Sequence, residues 1–357
     1  MQSAPRNRLS VGIVYALAAA VLFGASTPFS KLLLSSVSPV LLAALLYLGS
    51  GCGLTLWLLL GSWLTGKKSQ EAPLKRADLP WLAGAVFFGG VAGPLLLMLG
   101  LAATPAADAS LLLNLEGVLT ALLAWFVFKE NFDRRIALGM ACITAGGILV
   151  SWTGNPSGGV PWGALGIAGA CLAWGIDNNL TRKVSAGNPL QIAAIKGLVA
   201  GGVNLAIAFA AGARLPAFST VMAASAVGLL GYGVSLTCFV LALRHLGTAR
   251  TGAYFSLAPF VGAGLSLLIF QGAISFVFLA ATALMGVGVW LHLTERHEHM
   301  HEHEEMFHDH RHVHDEHHQH AHSPDDPAGE PHSHPHFHPA MRHSHPHYPD
   351  IHHRHKH

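Results

Sequence analysis

Ten apolar stretches follow one another through the chain, and a bilayer admits a succession of this kind as membrane-crossing helices. They cover roughly 11–34, 39–65, 79–103, 105–128, 136–153, 162–181, 189–213, 219–243, 248–270 and 273–293. A helix needs roughly 20 residues to cross the hydrocarbon core, and the stretches are close to that length. The links between them are short, and no soluble domain interrupts the series. Charged residues make up 11% of the chain, against about 25% in an ordinary soluble domain. The expected fold is therefore an all-α integral membrane protein with ten transmembrane helices. Its first partner is the lipid bilayer. A net charge of +2 is too small to suggest a nucleic-acid partner.

Orientation follows from the basic residues. Arg6, Arg8, Lys67, Lys68, Lys75, Arg76, Lys129, Arg134, Arg135, Arg182, Lys183, Arg244 and Arg250 fall in one alternating set of loops. The other set holds Arg214 and, at its edge, Lys31. The positive-inside rule puts the first set in the cytoplasm. Both termini of a ten-span chain are then cytoplasmic, in a bacterial-type inner (plasma) membrane. Arg6 and Arg8 before an apolar run mimic a signal peptide, but the run from Val11 to Leu34 is too long for one. Cys52, Cys142, Cys171 and Cys238 all fall inside apolar spans without metal-ligand spacing, and read as inert buried thiols.

The chain also repeats itself. Gly12 to Lys31 aligns without a gap on Gly163 to Arg182, matching Phe23-Gly24 with Trp174-Gly175 and Lys31 with Arg182. Asp108 to Asp133 aligns on Arg250 to Ser275, matching Phe128 with Phe270. Five spans per half is an odd number, so the halves must lie in opposite orientations. Secondary transporters use such inverted repeats and hold their substrate near mid-membrane between them. The expected organisation is a short N-terminus (1–10), two five-helix repeats (11–153 and 162–293) and a tail (294–357).

Three stretches resemble the EamA-type branch of the drug/metabolite transporter superfamily. One is Phe23-Gly24-Ala-Ser-Thr-Pro-Phe-Ser-Lys31 with its partner from Trp174-Gly175 onward. The second is Ala109-Ser110-Leu-Leu-Leu-Asn114-Leu-Glu116, and the third is Glu130 just after span four. The resemblance covers about residues 11–293. It implies movement of a small solute, usually outward, without ATP. The chain departs from the pattern at Gly272, where the family has an acid, and at Gly117, where it has a proline; Pro259 is kept.

No Walker motif, nucleophile elbow or dinucleotide fingerprint stands in a credible context, so an enzyme is not expected. The glycine pairs Gly89-Gly90 and Gly201-Gly202 suit close helix packing. Glu116 lies near the middle of span four. A carboxylate at that depth is costly and usually faces a cavity where it has a job, although a structural hydrogen bond would also satisfy it. Such an acid can bind either a proton or a cationic substrate, which gives antiport directly. The other embedded polar residues are Asn114, Asp177, Asn178, Asn179, Lys196 and Asn204. Asp177 and Lys196 lie at similar depth, within roughly 10 Å of the cytoplasmic surface, and are expected to pair. That pair reads equally as a fastener or as part of the site. Adjacent helical residues point about 100° apart, so Asp177, Asn178 and Asn179 cannot all face one cavity. The expected substrate or coupling-ion set is Glu116, Asn114, Asp177, Asn178 and Lys196. Asp108 reads as a solvated charge near the outer mouth. Trp57, Trp125, Trp174 and Phe23 lie deep enough to line a cavity or pack helices, while Trp63, Trp81, Trp152, Trp162 and Trp290 suit interfacial anchoring.

His245 is the only one of the 25 histidines that precedes His292. Proline, charge and low apolar content after Thr294 point to a disordered tail. Alternating histidines can gather several imidazoles around one ion, and imidazole suits divalent transition metals such as nickel, cobalt, zinc or copper. The metal-ligating set is His297, His299, His301, His303, His308, His310, His312, His314, His317 and His318. A pH-responsive tail is the alternative. No cofactor is required beyond a metal on this tail. Three functions stay open: an exporter whose cargo is a small solute or the metal itself, an amino-acid or metabolite exporter with a regulatory tail, and a membrane-anchored metal buffer. A homodimer is left open as well.

Overall fold

The computed structural model describes residues 6–65, 74, 76–128, 134–153, 161–184, 188–293, 298–303, 306–312, 332–338 and 341–346. From residue 6 to residue 293 the regular structure is helical. The first half holds α1 (Arg6–Leu33), α2 (Pro39–Thr65), α3 (Leu79–Ala85), α4 (Gly93–Ala102), α5 (Ala106–Leu112), α6 (Leu115–Phe128) and α7 (Arg134–Thr153). The second holds α8 (Trp162–Val184), α9 (Pro189–Ala210), α10 (Phe218–Gly228), α11 (Ser235–Phe255), α12 (Ala258–Phe270) and α13 (Phe276–Leu293). Five described segments are long and apolar enough to cross a membrane: Val11–Leu33, Pro39–Leu60, Leu79–Ala102, Pro189–Ala210 and Phe218–Ala242. Ala137–Ser151, Ala258–Phe270 and Phe276–Leu291 are shorter apolar helices.

Two of the expected spans are interrupted. Span four breaks between α5 and α6. There the amides of Leu113, Asn114 and Glu116 bond to carbonyls three residues back, a tighter turn than the α-helix makes. Asn114 Nδ2 takes the Leu111 carbonyl at 3.0 Å, and that local bond competes with helix continuation. The pseudo-equivalent break lies between α11 and α12, at Ser256–Leu257, and Pro259 stands in the first turn of α12, where its missing amide costs no helical bond. The link expected near 244–247 is instead helical, because α11 runs through it to Phe255 and the chain breaks at Ser256–Leu257.

Spans three and eight carry a second matched feature. Val86–Ala92 and Leu229–Val234 are wound as π-helix, joining α3 to α4 and α10 to α11. In the first half the cause is local. Pro94 has no amide to offer the Gly90 carbonyl, and the Gly93 amide bonds to Phe88 instead of Gly89. The carbonyls of Gly89 and Gly90 are left for side chains.

The core joins both halves. Leu41, Leu42 and Leu46 of α2, Leu97 and Leu101 of α4, Leu111 and Leu112 of α5, Ile167 of α8 and Met285 of α13 are fully buried in one cluster. Trp57, Phe218, Leu268 and Phe276 are exposed on the outside, a surface that suits lipid. Trp57 therefore does not line a cavity, and Cys52 is exposed rather than buried. An apolar span has an outward face too, and sequence alone does not say which residues occupy it. Trp81, Trp162 and Trp290 are exposed on the same outer surface.

Four strands lie in the tail: β1 (Glu298–His303), β2 (Met306–His312), β3 (His332–His338) and β4 (Met341–Pro346). β1 pairs with β4 and β2 with β3, both antiparallel. The expectation of a disordered tail does not hold for these segments. Charge and proline argue against a packed core, but the His-x-His alternation has the period of two that a strand requires.

Candidate functional site

α1 and α8 run antiparallel through the centre. Lys31, near the C-terminus of α1, and Gly163, near the N-terminus of α8, both meet the turn at Thr104. Between them sits an aromatic cluster. Phe23 of α1 meets Trp174 of α8 edge-on at 6.2 Å between ring centroids. Phe23 also contacts Tyr232 at 5.9 Å and Phe255 at 5.5 Å, and Tyr232 contacts Tyr47 at 5.5 Å. Phe23 and Trp174 are the matched pair of the internal repeat, so the two halves touch there through equivalent positions.

The π-helix fixes this centre. Tyr47 Oη donates to the freed Gly89 carbonyl at 2.6 Å, and Trp174 Nε1 donates to it at 3.2 Å. Asn204 Nδ2 donates to the Gly90 carbonyl at 2.9 Å. A Cβ at Gly89 would overlap the Asp177 carboxylate, so the glycine leaves that side chain its place.

Asp177, Asn178 and Asn179 then part company. Lys196 Nζ of α9 reaches both Asp177 oxygens at 2.7 Å, and Thr181 Oγ1 donates to Oδ1 at 2.8 Å. Asp177 and Lys196 thus form an ion pair with little solvent exposure. Asn179 Nδ2 turns back to the Gly175 carbonyl of its own helix at 2.9 Å. Asn178 Nδ2 donates to Glu116 Oε1 at 2.9 Å. Glu116 lies in the first turn of α6, directly after the break in span four, where the amide ends of a helix favour an anion. Among the described residues Glu116 has no basic partner, whereas Asp177 has one. The link from Asn178 to Glu116 is not legible in the sequence, because the two are 62 residues apart and share no charge signal.

Asn114 stands apart from this pair. It is buried, with Nδ2 on the Leu111 carbonyl and 3.9 Å from Met285 Sδ. Asp108 is half-buried in the first turn of α5. Glu130 lies outside the described residues, as do His297, His314, His317 and His318. His299, His301 and His303 fall in β1, and His308, His310 and His312 in β2. Among the described residues no three His, Cys, Asp or Glu converge as a metal centre.

The two ends of the bundle differ. Along α8, Ile167, Ala170, Cys171 and Trp174 form a buried stripe turned into the protein. Asn178 continues that stripe one turn on, at i+4 from Trp174, yet it is exposed. Asn178 is therefore open to solvent at this end of the bundle. The matched stripe of α1 stays closed: Ser26, Thr27 and Ser30 are all buried. Lys31 seals that end, its ammonium donating to the carbonyls of Leu101 at 2.5 Å, Thr104 at 2.8 Å and Ala102 at 3.1 Å. Lys31 is thus engaged with backbone rather than free in a loop.

Comparison with known proteins agrees with this two-part layout. Residues 10–152 and 161–294 each match the model of the EamA-like transporter family. A protein described as an uncharacterized transporter, from Methanothermobacter thermautotrophicus (strain Delta H), is 28% identical over 293 residues. That match spans 78% of this chain and 85% of the relative. A solved crystal structure, described only as that of a protein, superposes with a TM-score of 0.59 at 18% identity. It covers 79% of this chain and 96% of its own, and bears on the fold alone.

Proposed function

This chain belongs to the EamA-like transporter family, and from that premise we propose that it is a secondary active carrier that exports a small solute, with Glu116 at the substrate or coupling-ion site. It is a multi-pass membrane protein and a transporter; the family and the named relative point to transport rather than catalysis. One observation carries the reading. Glu116 is the interior acid with an amide donor and no basic partner among the described residues, at the head of a broken helix and bonded to the exposed Asn178. A carboxylate in that setting binds a proton or a cation in turn, which couples two fluxes through one group.

The wider architecture follows the same line. The reading takes ten spans as two inverted five-helix repeats, 11–153 and 162–293. The N-terminus and the tail from 294 lie on the cytoplasmic face. The Asn178 end then opens inward and the Lys31 end is closed, which is one of the two states that alternating access requires. The Asp177–Lys196 pair fastens α8 to α9 beside the site, and Asn114 serves the break in span four. The tail binds divalent transition metal on its histidines and regulates the carrier. Metal cargo is the second reading, and the tail's histidines favour it.

The test uses purified carrier in proteoliposomes with an imposed proton gradient, screened against amino acids, amines and nickel ion. The wild type should show gradient-driven flux for one class. Glu116→Gln should insert normally and carry no coupled flux. Normal transport by that variant removes Glu116 from the site. Flux of nickel alone selects the second reading.

A further inference from the structure

Thr120 departs from the pattern that hydroxyls follow in these helices. Ser110, Ser151, Thr237 and Thr282 each donate to the carbonyl four residues back, at 2.7–3.0 Å. That bond is the ordinary resting place of a serine or threonine within a helix. Thr120 leaves it unmade: its Oγ1 is buried and has no partner among the described residues. The hydroxyl lies against α8 instead, where it would stand 3.2 Å from a Cβ on Gly175. A buried polar group without a partner is costly, so the position calls for something to bond.

Two more polar groups belong to the same crossing. Thr120 lies one turn after Glu116 on α6, and Asn178 one turn after Gly175 on α8, so each pair shares a helix face. Asn178 and Glu116 are joined directly, Nδ2 to Oε1 at 2.9 Å. An ionised carboxylate only accepts, so Asn178 turns its amide nitrogen to Glu116 and keeps Oδ1 for another donor. Glu116 Oε2 and Asn178 Oδ1 have no partner among the described residues. The matched crossing carries nothing of the kind. There Gly262 stands in place of Thr120 and Ala258 in place of Glu116, and a Cβ on Gly262 would come within 2.7 Å of the Gly24 carbonyl. A side chain at 120 thus holds α6 off α8, where glycine lets α12 settle onto α1.

We propose that Thr120 completes the substrate site with Glu116 and Asn178, and that their three oxygens receive a protonated primary amine. This rests on the reading of Glu116 as the substrate site and names the cargo it takes. A primary ammonium carries three N–H donors, one for each acceptor. A fully methylated nitrogen has none and leaves the Thr120 hydroxyl unmet. Transition metals are poor guests, since the set holds no imidazole or thiolate. The cargo also lacks a carboxylate. Both described interior lysines are engaged, Lys196 with Asp177 and Lys31 with three carbonyls at the opposite end. An amino acid would bring its carboxylate into the bundle without a cation, and burying an unpaired charge is costly. Trp174 stands one turn before Asn178 on the same stripe of α8 and packs on Phe23, so an aromatic carbon skeleton suits this end of the bundle.

Three compounds built on one carbon skeleton separate these features: phenethylamine, its N,N,N-trimethyl derivative and phenylalanine. Each is titrated by calorimetry into the full-length carrier in lipid nanodiscs. The wild type should hold phenethylamine about tenfold tighter than either relative, the size of effect that one hydrogen bond from a charged donor gives. Thr120→Val keeps the shape and removes the hydroxyl. It should weaken phenethylamine about tenfold and leave the trimethyl compound unchanged. Thr120→Ser returns the hydroxyl and should restore the preference. Glu116→Gln should abolish binding of both cations. A primary-to-trimethyl preference that survives Thr120→Val overturns the proposal, and so does phenylalanine held as tightly as phenethylamine. Absence of phenethylamine binding, with gradient-driven flux of another solute still lost in Glu116→Gln, overturns the amine and leaves the Glu116 reading standing. Phenethylamine binding that is unchanged in Glu116→Gln removes Glu116 from the site, and that reading falls with the proposal.

Discussion

The two halves cross a neighbour at matched glycines, and the crossings are not alike. At Gly24, α1 lies so close to α12 that a Cβ would strike the Ala258 carbonyl and come within 3.1 Å of Val261 Cβ. At Gly175, α8 passes α6 with more room: the nearest atoms to a Cβ would be Thr120 Oγ1 at 3.2 Å and Leu123 Cδ1 at 3.3 Å. Around the tight crossing the residues are Ala258, Ser26 and Thr27; around the loose one the matched positions hold Glu116, Asp177 and Asn178. One scaffold has thus been used twice, once as a seal and once as a site. Close apolar contact excludes water and rigidifies, while a carboxylate needs space and polar company.

The sharpest way to break that comparison is to move the acid. Glu116→Gln should reduce gradient-driven flux to background with normal membrane insertion. Glu116→Ala combined with Ala258→Glu should not restore it, because residue 258 is almost fully buried where α12 packs closely on α1. Flux returning in the double variant would mean that the halves are interchangeable and the asymmetry is incidental.

The ion pair next to Glu116 tests whether polarity on the α8 side is functional or merely structural. Lys196→Met leaves the Asp177 carboxylate enclosed without its cation, which costs about 3–5 kcal/mol in buried pairs. Adding Asp177→Asn should recover most of that loss in thermal unfolding of the purified carrier. If the recovered double variant also transports, the pair is a fastener. If it is stable and silent, the pair belongs to the site. The glycines come next in size. Gly24→Ala should cost about 1–3 kcal/mol by overpacking against backbone that cannot retreat. Gly175→Ala should cost under about 1 kcal/mol, since a hydroxyl and a leucine tip can shift. Equal losses would show that the two crossings are equally tight.

Legibility in the sequence followed the same physical divide. Long apolar runs and glycine positions marked α1, α2 and α9 clearly, because hydropathy acts over whole segments. Equal depth on neighbouring spans brought Asp177 and Lys196 together on paper. The break at Leu113–Asn114 left no such trace: the run stays apolar through it, and only a local Asn114 bond diverts the helix. The π-helix at Gly89-Gly90 looked like ordinary close packing, since glycine pairs serve both ends. The bond from Asn178 to Glu116 depends on the rotation of α8, which no periodicity fixes when both faces of a helix are apolar. The tail misled in the opposite sense. Its alternation was visible, but the rules that weigh charge and proline speak to core formation and not to strand pairing.

The smallest effect probes the seal itself. Lys31 closes its end of the bundle through three backbone carbonyls at the end of α4, which α1 would otherwise leave to water. Hydrogen bonds from a charged donor contribute about 1.5–3 kcal/mol each when buried, and less where one partner is half-exposed, as here. Lys31→Met keeps the length of the side chain and removes the donors. Part of the lost energy returns as hydration of the freed carbonyls, so the carrier should remain folded. What should change is the balance between closed and open forms of that end. A cysteine at position 30, fully buried beside the latch, reports this balance through its rate of reaction with a water-soluble maleimide. In a Ser30→Cys background the rate should rise several-fold when Lys31→Met is added; a shift of about 1 kcal/mol is worth roughly fivefold in an equilibrium of this kind. Cysteine at Asn178, on the open side, should react less as the balance moves, since opening one end of an alternating carrier closes the other. Faster labelling at both positions would mean that Lys31 only holds the bundle together, and that the closed and open ends are not linked.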